Sequence, residues 1–369
     1  MSSFPSPTPS AGSPGPERPT ALWVSTALDT RGGISSYVRM LGQTPLATRW
    51  SVRHIATHRD GSAARKILTF ARALGACSAA LLRRPDVVHV HMASYGSFAR
   101  KAVVIGLARL RRVPVVVHVH GAEFDLFHDR APWPVQAVIR STLGNSAAVI
   151  ALGEQWAERL KRIAPAARVH VVPNAVAPVG PAVQPAPGTP VHVVFLGELG
   201  ERKGTFTLLD AWAKVVLQAA VPARLTIAGS GEHERARLRI TELGLGDSVQ
   251  LRGWLAPDEV AVLLRSAQVL TLPSFAEGQP MAILEAMAHG LCVVASNIGG
   301  IPELLAEDCG LLVRPGDIDA LAAALCEVID DPAERVRLGE RALDRVRTTF
   351  DPAIGWRRIE QIYREVTSG

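Results

Sequence analysis

The densest group of residues able to do chemistry lies at residues 273–305, PSFAEGQPMAILEAMAHGLCVVASNIGGIPELL. Two carboxylates, Glu277 and Glu285, stand eight positions apart. Were the whole interval helical, they would be about 12 Å apart along the axis. That is too far for an acid/base couple on one group, and it suits two contacts on one elongated ligand. Between them a loop begins at Gly278-Gln279 and enters a helix near Pro280-Met281, with proline suited to the first turn. Loop N–H groups and a helix N-terminus together make an anion site. A diphosphate flanked by hydroxyl-bearing rings would satisfy all three elements. Gly299-Gly300-Ile301-Pro302-Glu303 repeats the device after the next strand.

Other groups invite chemistry. His-Val-His occurs twice, at 89–91 and 118–120, and period two puts each pair on one strand face. Zinc is the natural thought. However, no second motif supplies carboxylate ligands, and strand ends commonly carry polar residues, so no metal is expected. Ser97 reads as an N-cap, with Arg100 and Lys101 following in the early helix. Cations there oppose the helix dipole unless an anion sits nearby. These three therefore form a candidate site for a phosphate group. Gly229-Ser-Gly231 follows a strand, but Glu234 stands where a dinucleotide loop needs its third glycine.

Short Val/Ile-rich runs must position these residues. Residues 21–27, 87–91, 113–120 and 147–152 read as strands, with helices at 65–83 and 97–112 between them. After five prolines in residues 177–190 the alternation restarts at 191–196, 224–228, 249–253, 269–272 and 292–295. Alternation of this kind argues parallel sheets flanked by helices, an α/β class. The expected division is a disordered Pro/Ser-rich tail at 1–18, a domain at 19–176, a linker at 177–190, a second domain at 191–350, and a C-terminal helix at 351–369 packing back on the first domain. Open sheets bind ligands beyond the carboxyl ends of their strands, so a cleft between the two domains is expected.

The chain has 369 residues, 48% hydrophobic and 20% charged, which excludes a largely disordered protein. The net charge of +6 hides an asymmetry. Residues 1–180 carry 22 Lys/Arg against 9 Asp/Glu, a charge of +13; residues 181–369 carry 18 against 25, a charge of −7. Residues 65–112 hold ten basic residues and one acid, with few aromatics and no recognition motif. A nucleic-acid partner is therefore not expected, and an anionic membrane surface is the better match. Cys77, Cys292, Cys309 and Cys326 show no CxxC spacing, which fits a reducing compartment. With no long apolar run and no h-region in the first eighteen residues, the expected location is cytoplasmic, peripheral on the inner face of the plasma membrane.

The span from Glu277 through GQPMAIL to Glu285 resembles the Glu-x7-Glu signature of retaining glycosyltransferase family 4, the glycosyl transferases group 1. The likeness continues in FLGELGERKGT (195–205), LTIAGSGEH (225–233), VQLRGWL (249–255), VVPNA (171–175) and DTRGGISSYVR (29–39), in family order. It implies a GT-B fold, two Rossmann-like domains facing across a cleft, and metal-independent transfer of a sugar from a nucleotide-diphosphate sugar to a hydroxyl acceptor with retention. The nucleotide-sugar is a substrate, and no cofactor is implied. By motif position, Glu277 and the 278–281 backbone would hold the donor sugar, Glu285 the ribose, and Lys203 the diphosphate. Leu255 would meet the base, Gly33 would let backbone approach the donor or acceptor, and His120 would approach the donor sugar. Many members have Gly-Arg where this chain has Gly197-Glu198, and Arg202 is the candidate replacement cation.

The expected function is therefore sugar transfer to a lipid-linked saccharide in bacterial polysaccharide or glycolipid assembly, with Ser97, Arg100 and Lys101 as the site for a phosphate of the acceptor and His91 as a further acceptor contact. Two alternatives keep the fold: a soluble small-molecule acceptor, and a non-catalytic binding subunit.

Overall fold

The computed structural model describes residues 18–368, so the expected tail, apart from Arg18, lies outside the described residues. The chain forms two compact units. One runs to Asn174 and takes in Pro352 onward; the other is Ala175–Asp351.

In the first unit six parallel strands form one sheet: β1 (Ala21–Ser25), β2 (Arg53–Ala56), β3 (Val87–Met92), β4 (Val115–Val119), β5 (Ala148–Ala151) and β6 (Val169–Val171), in the order β2-β1-β3-β4-β5-β6. Every residue of β1, β3, β4 and β5 is buried. That is why these strands read as continuous apolar runs: helices cover both faces of a parallel sheet. One face packs on helices Ala63–Leu82 and Gly96–Leu110 through Cys77, Leu81, Val104 and Ile105. The other face packs on helix Gly33–Leu41 and on the C-terminal helix Pro352–Thr367, through Tyr37, Trp356, Ile359 and Tyr363 against Trp23, Val87 and Val116. The indole N–H of Trp23 donates to the Tyr363 hydroxyl at 2.9 Å. The chain reverses its winding between β1 and β3, so a ligand crevice belongs beyond their carboxyl ends.

The second unit repeats the plan with β7 (Val191–Leu196), β8 (Ala223–Ala228), β9 (Val249–Arg252), β10 (Val269–Leu272), β11 (Cys292–Ser296) and β12 (Leu311–Val313), ordered β12-β11-β10-β7-β8-β9 and again all parallel. Its switch point lies between β7 and β10. The segment at 177–190 holds no helix or strand, yet it is fixed along this unit. The N–H groups of Val179 and Gly180 donate to the Ala288 carbonyl, and the Gln268 amide donates to the Val183 carbonyl at 2.7 Å. All four cysteines are free thiols.

Candidate functional site

The loops after β7 and β10 meet at the switch point of the second unit. After β7, Gly197-Glu198-Leu199-Gly200 leads into a short 3-10 turn, Glu201–Lys203. Gly204 ends the turn at φ +71, and a Cβ built there would lie 1.9 Å from the Pro273 carbonyl oxygen. The Phe275 N–H donates to the Arg202 carbonyl at 2.8 Å. The β7 and β10 loops are thus in backbone contact, which only glycine permits at position 204. On its other side the β10 loop meets the loop after β11. A Cβ at Gly299, φ +56, would lie 1.9 Å from the Glu277 carbonyl oxygen, and the Gly300 N–H donates to the Gly278 carbonyl at 2.8 Å. The second glycine loop therefore serves close packing against the first. The helix that follows it, Ile301–Leu304, is only one turn long.

Side chains converge in this frame. Lys203 Nζ donates to Glu277 Oε1 at 2.5 Å, and the Ser274 hydroxyl donates to the same oxygen at 2.7 Å. Both members of the ion pair are largely withdrawn from solvent. Gly278, Gln279 and Pro280 are buried as well, and Met281 is half-buried. The helix spans Met281–Ala288 with Pro280 at its N-cap, one position earlier than expected for the proline. Glu277 therefore sits in the loop and only Glu285 is helical. Burial pushes the Glu285 carboxyl up to about 7, and its side chain makes no hydrogen bond among the described residues.

Two expectations need correction here. Arg202 does not stand free to replace a missing cation: its guanidinium is 3.3 Å from Glu198 Oε2, the acid at the position where an arginine is common, and 3.4 Å from the Ala276 carbonyl. The Leu255 side chain packs into the core of the unit, because the chain turns inward before the helix Pro257–Arg265. Trp254 beside it is the exposed residue. Ser274 was missed, although its Pro-Ser position at a strand end was the available signal.

In the first unit, Gly33 opens helix Gly33–Leu41, but the residue at positive φ is Gly32, φ +129, which precedes the helix as its N-cap. His120 follows β4, and its N–H donates to the Met92 carbonyl at 2.8 Å. His120 Nε2 lies 3.1 Å from His91 Nδ1. His91 is fully buried on the face covered by Tyr37 and Trp23, so it cannot touch an acceptor as expected. Strand periodicity placed it correctly on a face with His89, but that face is the interior. Desolvation first, and then Lys101, lower His120 to about 3, so its ring is neutral.

His89, His91 and His118 gather one nitrogen each within 4.8 Å of one another. Their rings stack rather than converge: 4.2 Å between His89 and His91, 5.5 Å between His89 and His118. None of their hydrogen-bond partners is a carboxylate, so a buried divalent ion there would keep its charge uncompensated.

Ser97 is not the N-cap. Helix Gly96–Leu110 is capped by Tyr95, at φ 54, and Ser97 lies in the first turn. Its hydroxyl accepts from the Ala93 N–H and from Lys101 Nζ, each at 3.1 Å. Lys101 is fully buried and has no acidic partner among the described residues. Desolvation, then the neighbouring Arg100, lowers it to about 7. Arg100 is half-buried, and its Nε makes no hydrogen bond.

A profile of the glycosyl transferases group 1 matches residues 190–331, and a glycosyl transferase 4-like domain profile matches residues 47–175. The chain is 30% identical over 284 residues to WcaL of Escherichia coli K12, named for a glycosyltransferase of colanic acid biosynthesis, covering 73% of this chain and 68% of that one. The chain belongs to the glycosyl transferases group 1. An MMP alpha-(1->4)-mannosyltransferase of Mycolicibacterium hassiacum is 38% identical over 152 residues, 40% of this chain and 36% of that one. The matches thus span between about a third and two thirds of the length of such curated relatives.

Among solved structures, sucrose-phosphate synthase of Thermosynechococcus elongatus superposes with a TM-score of 0.76 at 22% identity, covering 95% of this chain and 99% of that one. HepE of Anabaena, solved with UDP-glucose, gives 0.71 at 20% identity, covering 93% and 98%. These likenesses show the two-domain GT-B fold. In this group 1 chain, Lys203 and Glu277 meet between the loops after β7 and β10, the two strands that flank the switch point.

Proposed function

We propose that this chain is a retaining glycosyltransferase that moves a sugar from a nucleotide-diphosphate sugar to a hydroxyl acceptor, without a metal at the diphosphate. One observation carries the reading. Lys203, paired with Glu277, and the unpartnered carboxylate of Glu285 flank a loop and helix N-terminus at the switch point of the second sheet. A diphosphate arriving there would take Lys203 from Glu277 and meet the N–H groups of the 278–281 segment. Glu277, released, would accept from sugar hydroxyls, and Glu285 from ribose hydroxyls. His120 would offer a neutral hydrogen-bonding group to the substrate. A nucleoside diphosphate leaves readily, so cations and oriented N–H groups suffice, and the acceptor's proton would pass to the departing phosphate oxygen. UDP-glucose bound to HepE and the names of the relatives support a nucleotide-sugar donor.

The acceptor proposed is a lipid-linked saccharide met at the inner face of the plasma membrane. Helix Ala63–Leu82 exposes Ile67, Leu68 and Leu82 beside Arg65, Lys66 and Arg72. A cavity of about 670 Å³ along it is rimmed by Arg59, Arg65 and Arg72 over Ile55, Leu68 and Ala73. No helix among the described residues is long and apolar enough to cross a membrane. Ser97, Arg100 and Lys101 would meet the acceptor phosphate.

A thermal-shift panel of UDP-, GDP- and dTDP-sugars tests the donor reading, because a ligand of the folded state raises the midpoint. One nucleotide class should stand out; a flat response to all three would refute it. For the acceptor, Arg100→Ala with Lys101→Ala should weaken sugar transfer and spare donor hydrolysis. Equal loss of both would refute the assignment.

A further inference from the structure

His120 and His91 share one hydrogen bond, and the surroundings of His91 decide which ring donates. His91 Nδ1 lies 3.1 Å from His120 Nε2. The other nitrogen of His91, Nε2, is buried with no hydrogen-bond partner. Its ring neighbours are His89 at 4.2 Å, His118 and His120 at 5.3 Å, Tyr37 at 6.0 Å and Trp23 at 6.2 Å between centroids, none of them within hydrogen-bond distance of Nε2. An imidazole carries one proton when neutral, so one nitrogen donates and the other accepts.

Two tautomers of the pair are open. In the first, His91 holds its proton on Nδ1 and donates to His120 Nε2. In the second, His120 donates, and the His91 proton must sit on Nε2, where nothing accepts it. A buried N–H without an acceptor is among the rarest of orphaned groups, and leaving it unmade costs about 1–3 kcal/mol. A buried acceptor left bare is the more commonly tolerated of the two defects. The first tautomer is therefore favoured.

The consequence falls on His120. With its Nε2 accepting, its own proton must sit on Nδ1, the nitrogen that makes no hydrogen bond among the described residues. We propose that His91 is a positioning residue that locks His120 as a one-way donor, presenting Nδ1–H to an oxygen of the substrate. That excludes His120 from accepting a proton at Nδ1, and so from acting there as a general base. It suits a sugar hydroxyl or phosphate oxygen that gains charge during transfer. The inference rests on the proposed role of His120 for its catalytic consequence, but the tautomer can be read without turnover.

The experiment is ¹⁵N-edited NMR of histidine-labelled full-length protein, with His120 assigned by comparison with a His120→Asn variant. The expected spectrum shows His120 with a protonated Nδ1 and a bare Nε2, unchanged from pH 6 to pH 8. A protonated Nε2 on His120 would overturn the proposal. His91→Leu should then let the two His120 tautomers mix and lower the turnover rate about ten-fold or more, with nucleotide affinity within two-fold of wild type. His91→Asn, which retains an N–H donor, should recover most of the rate. A His91→Leu enzyme with an unaltered tautomer and rate would equally overturn it. Should the leucine variant fail to fold, the wild-type spectrum and the asparagine variant still decide. If no nucleotide-sugar binds while the tautomer is as expected, the donor reading fails and the locking of His120 stands.

Discussion

Lys203 Nζ lies 2.5 Å from Glu277 Oε1, so the cation proposed for the diphosphate and the carboxylate proposed for the sugar hold each other. The pair ties the loop after β7 to the loop after β10. Removing one member strands the other in a largely desolvated place.

Lys203→Ala should therefore destabilise as well as inactivate. Losing one partner of a buried pair costs about 3–5 kcal/mol, and somewhat less here because the lysine keeps some solvent. Adding Glu277→Ala removes the stranded carboxylate, so the double variant should regain part of the lost melting temperature. Affinity for a nucleoside diphosphate should stay about ten- to a hundred-fold low in both, since a charge-assisted contact is missing. A double variant no more stable than the single one would show that the pair contributes little.

Glu285 supplies a pH signature. Burial raises its carboxyl from the ordinary 4.5 to about 7, so the folded chain disfavours its ionised form. The resulting penalty is absent below pH 4.5, grows between pH 4.5 and 7, and is complete above 7. Glu285→Gln should remove that slope and stabilise the chain above pH 7, by on the order of 1 kcal/mol once its partial exposure is allowed for. Ribose hydroxyls donate best to the carboxylate. Nucleotide affinity in wild type should therefore rise between pH 6 and 8, with proton release seen by calorimetry in two buffers. The glutamine variant should show neither effect.

Much of the fold is legible in the sequence. Fully buried parallel strands such as Val191–Leu196 and Val269–Leu272 advertise themselves as apolar runs, and the Glu277 loop follows the second of these directly. The less legible elements are short or interior. Strands Arg53–Ala56, Val169–Val171 and Leu311–Val313 are three or four residues long, and the first two carry charged or histidine residues that break the apolar pattern. Periodicity put His89 and His91 on one face without saying which face is interior; that depends on the C-terminal helix, whose Tyr363 hydroxyl lies 2.6 Å from His89 Nδ1. Arg202 pairing with Glu198 is likewise a matter of rotamer and turn geometry, which spacing does not encode.

Lys101 makes the opposite pH prediction from Glu285. Burial lowers it from 10.5 to about 7, so at pH 7–10.5 the unfolded chain binds a proton that the folded chain does not. Stability contributed at this position should rise with pH across that window and be least below pH 7. Lys101→Met keeps the length and drops the charge. It should raise the melting temperature at pH 7 and flatten the slope, while acceptor use falls. An anionic acceptor reaching the lysine would restore its charge, so binding at pH 8 should take up a proton in wild type and none in the variant.

Gly204 and Gly244 separate backbone strain from backbone contact. Both hold positive φ, +71 and +66. A Cβ at Gly244 meets nothing within 4 Å, whereas at Gly204 it would lie 1.9 Å from the Pro273 carbonyl oxygen. Alanine at 244 should cost only the conformational penalty of a left-handed residue, about 1–2 kcal/mol. Alanine at 204 adds a clash between two main chains that no side-chain rotation relieves, and it must push the β7 loop away from the β10 loop. Gly204→Ala should therefore lower the melting temperature well beyond Gly244→Ala. It should also weaken nucleotide-sugar binding, because the separated loops carry Lys203 away from Glu277 and from the 278–281 N–H groups. Equal melting temperatures with intact binding in both variants would mean that the loops accommodate the methyl group. Close contact at Gly204 would then have no part in holding the site.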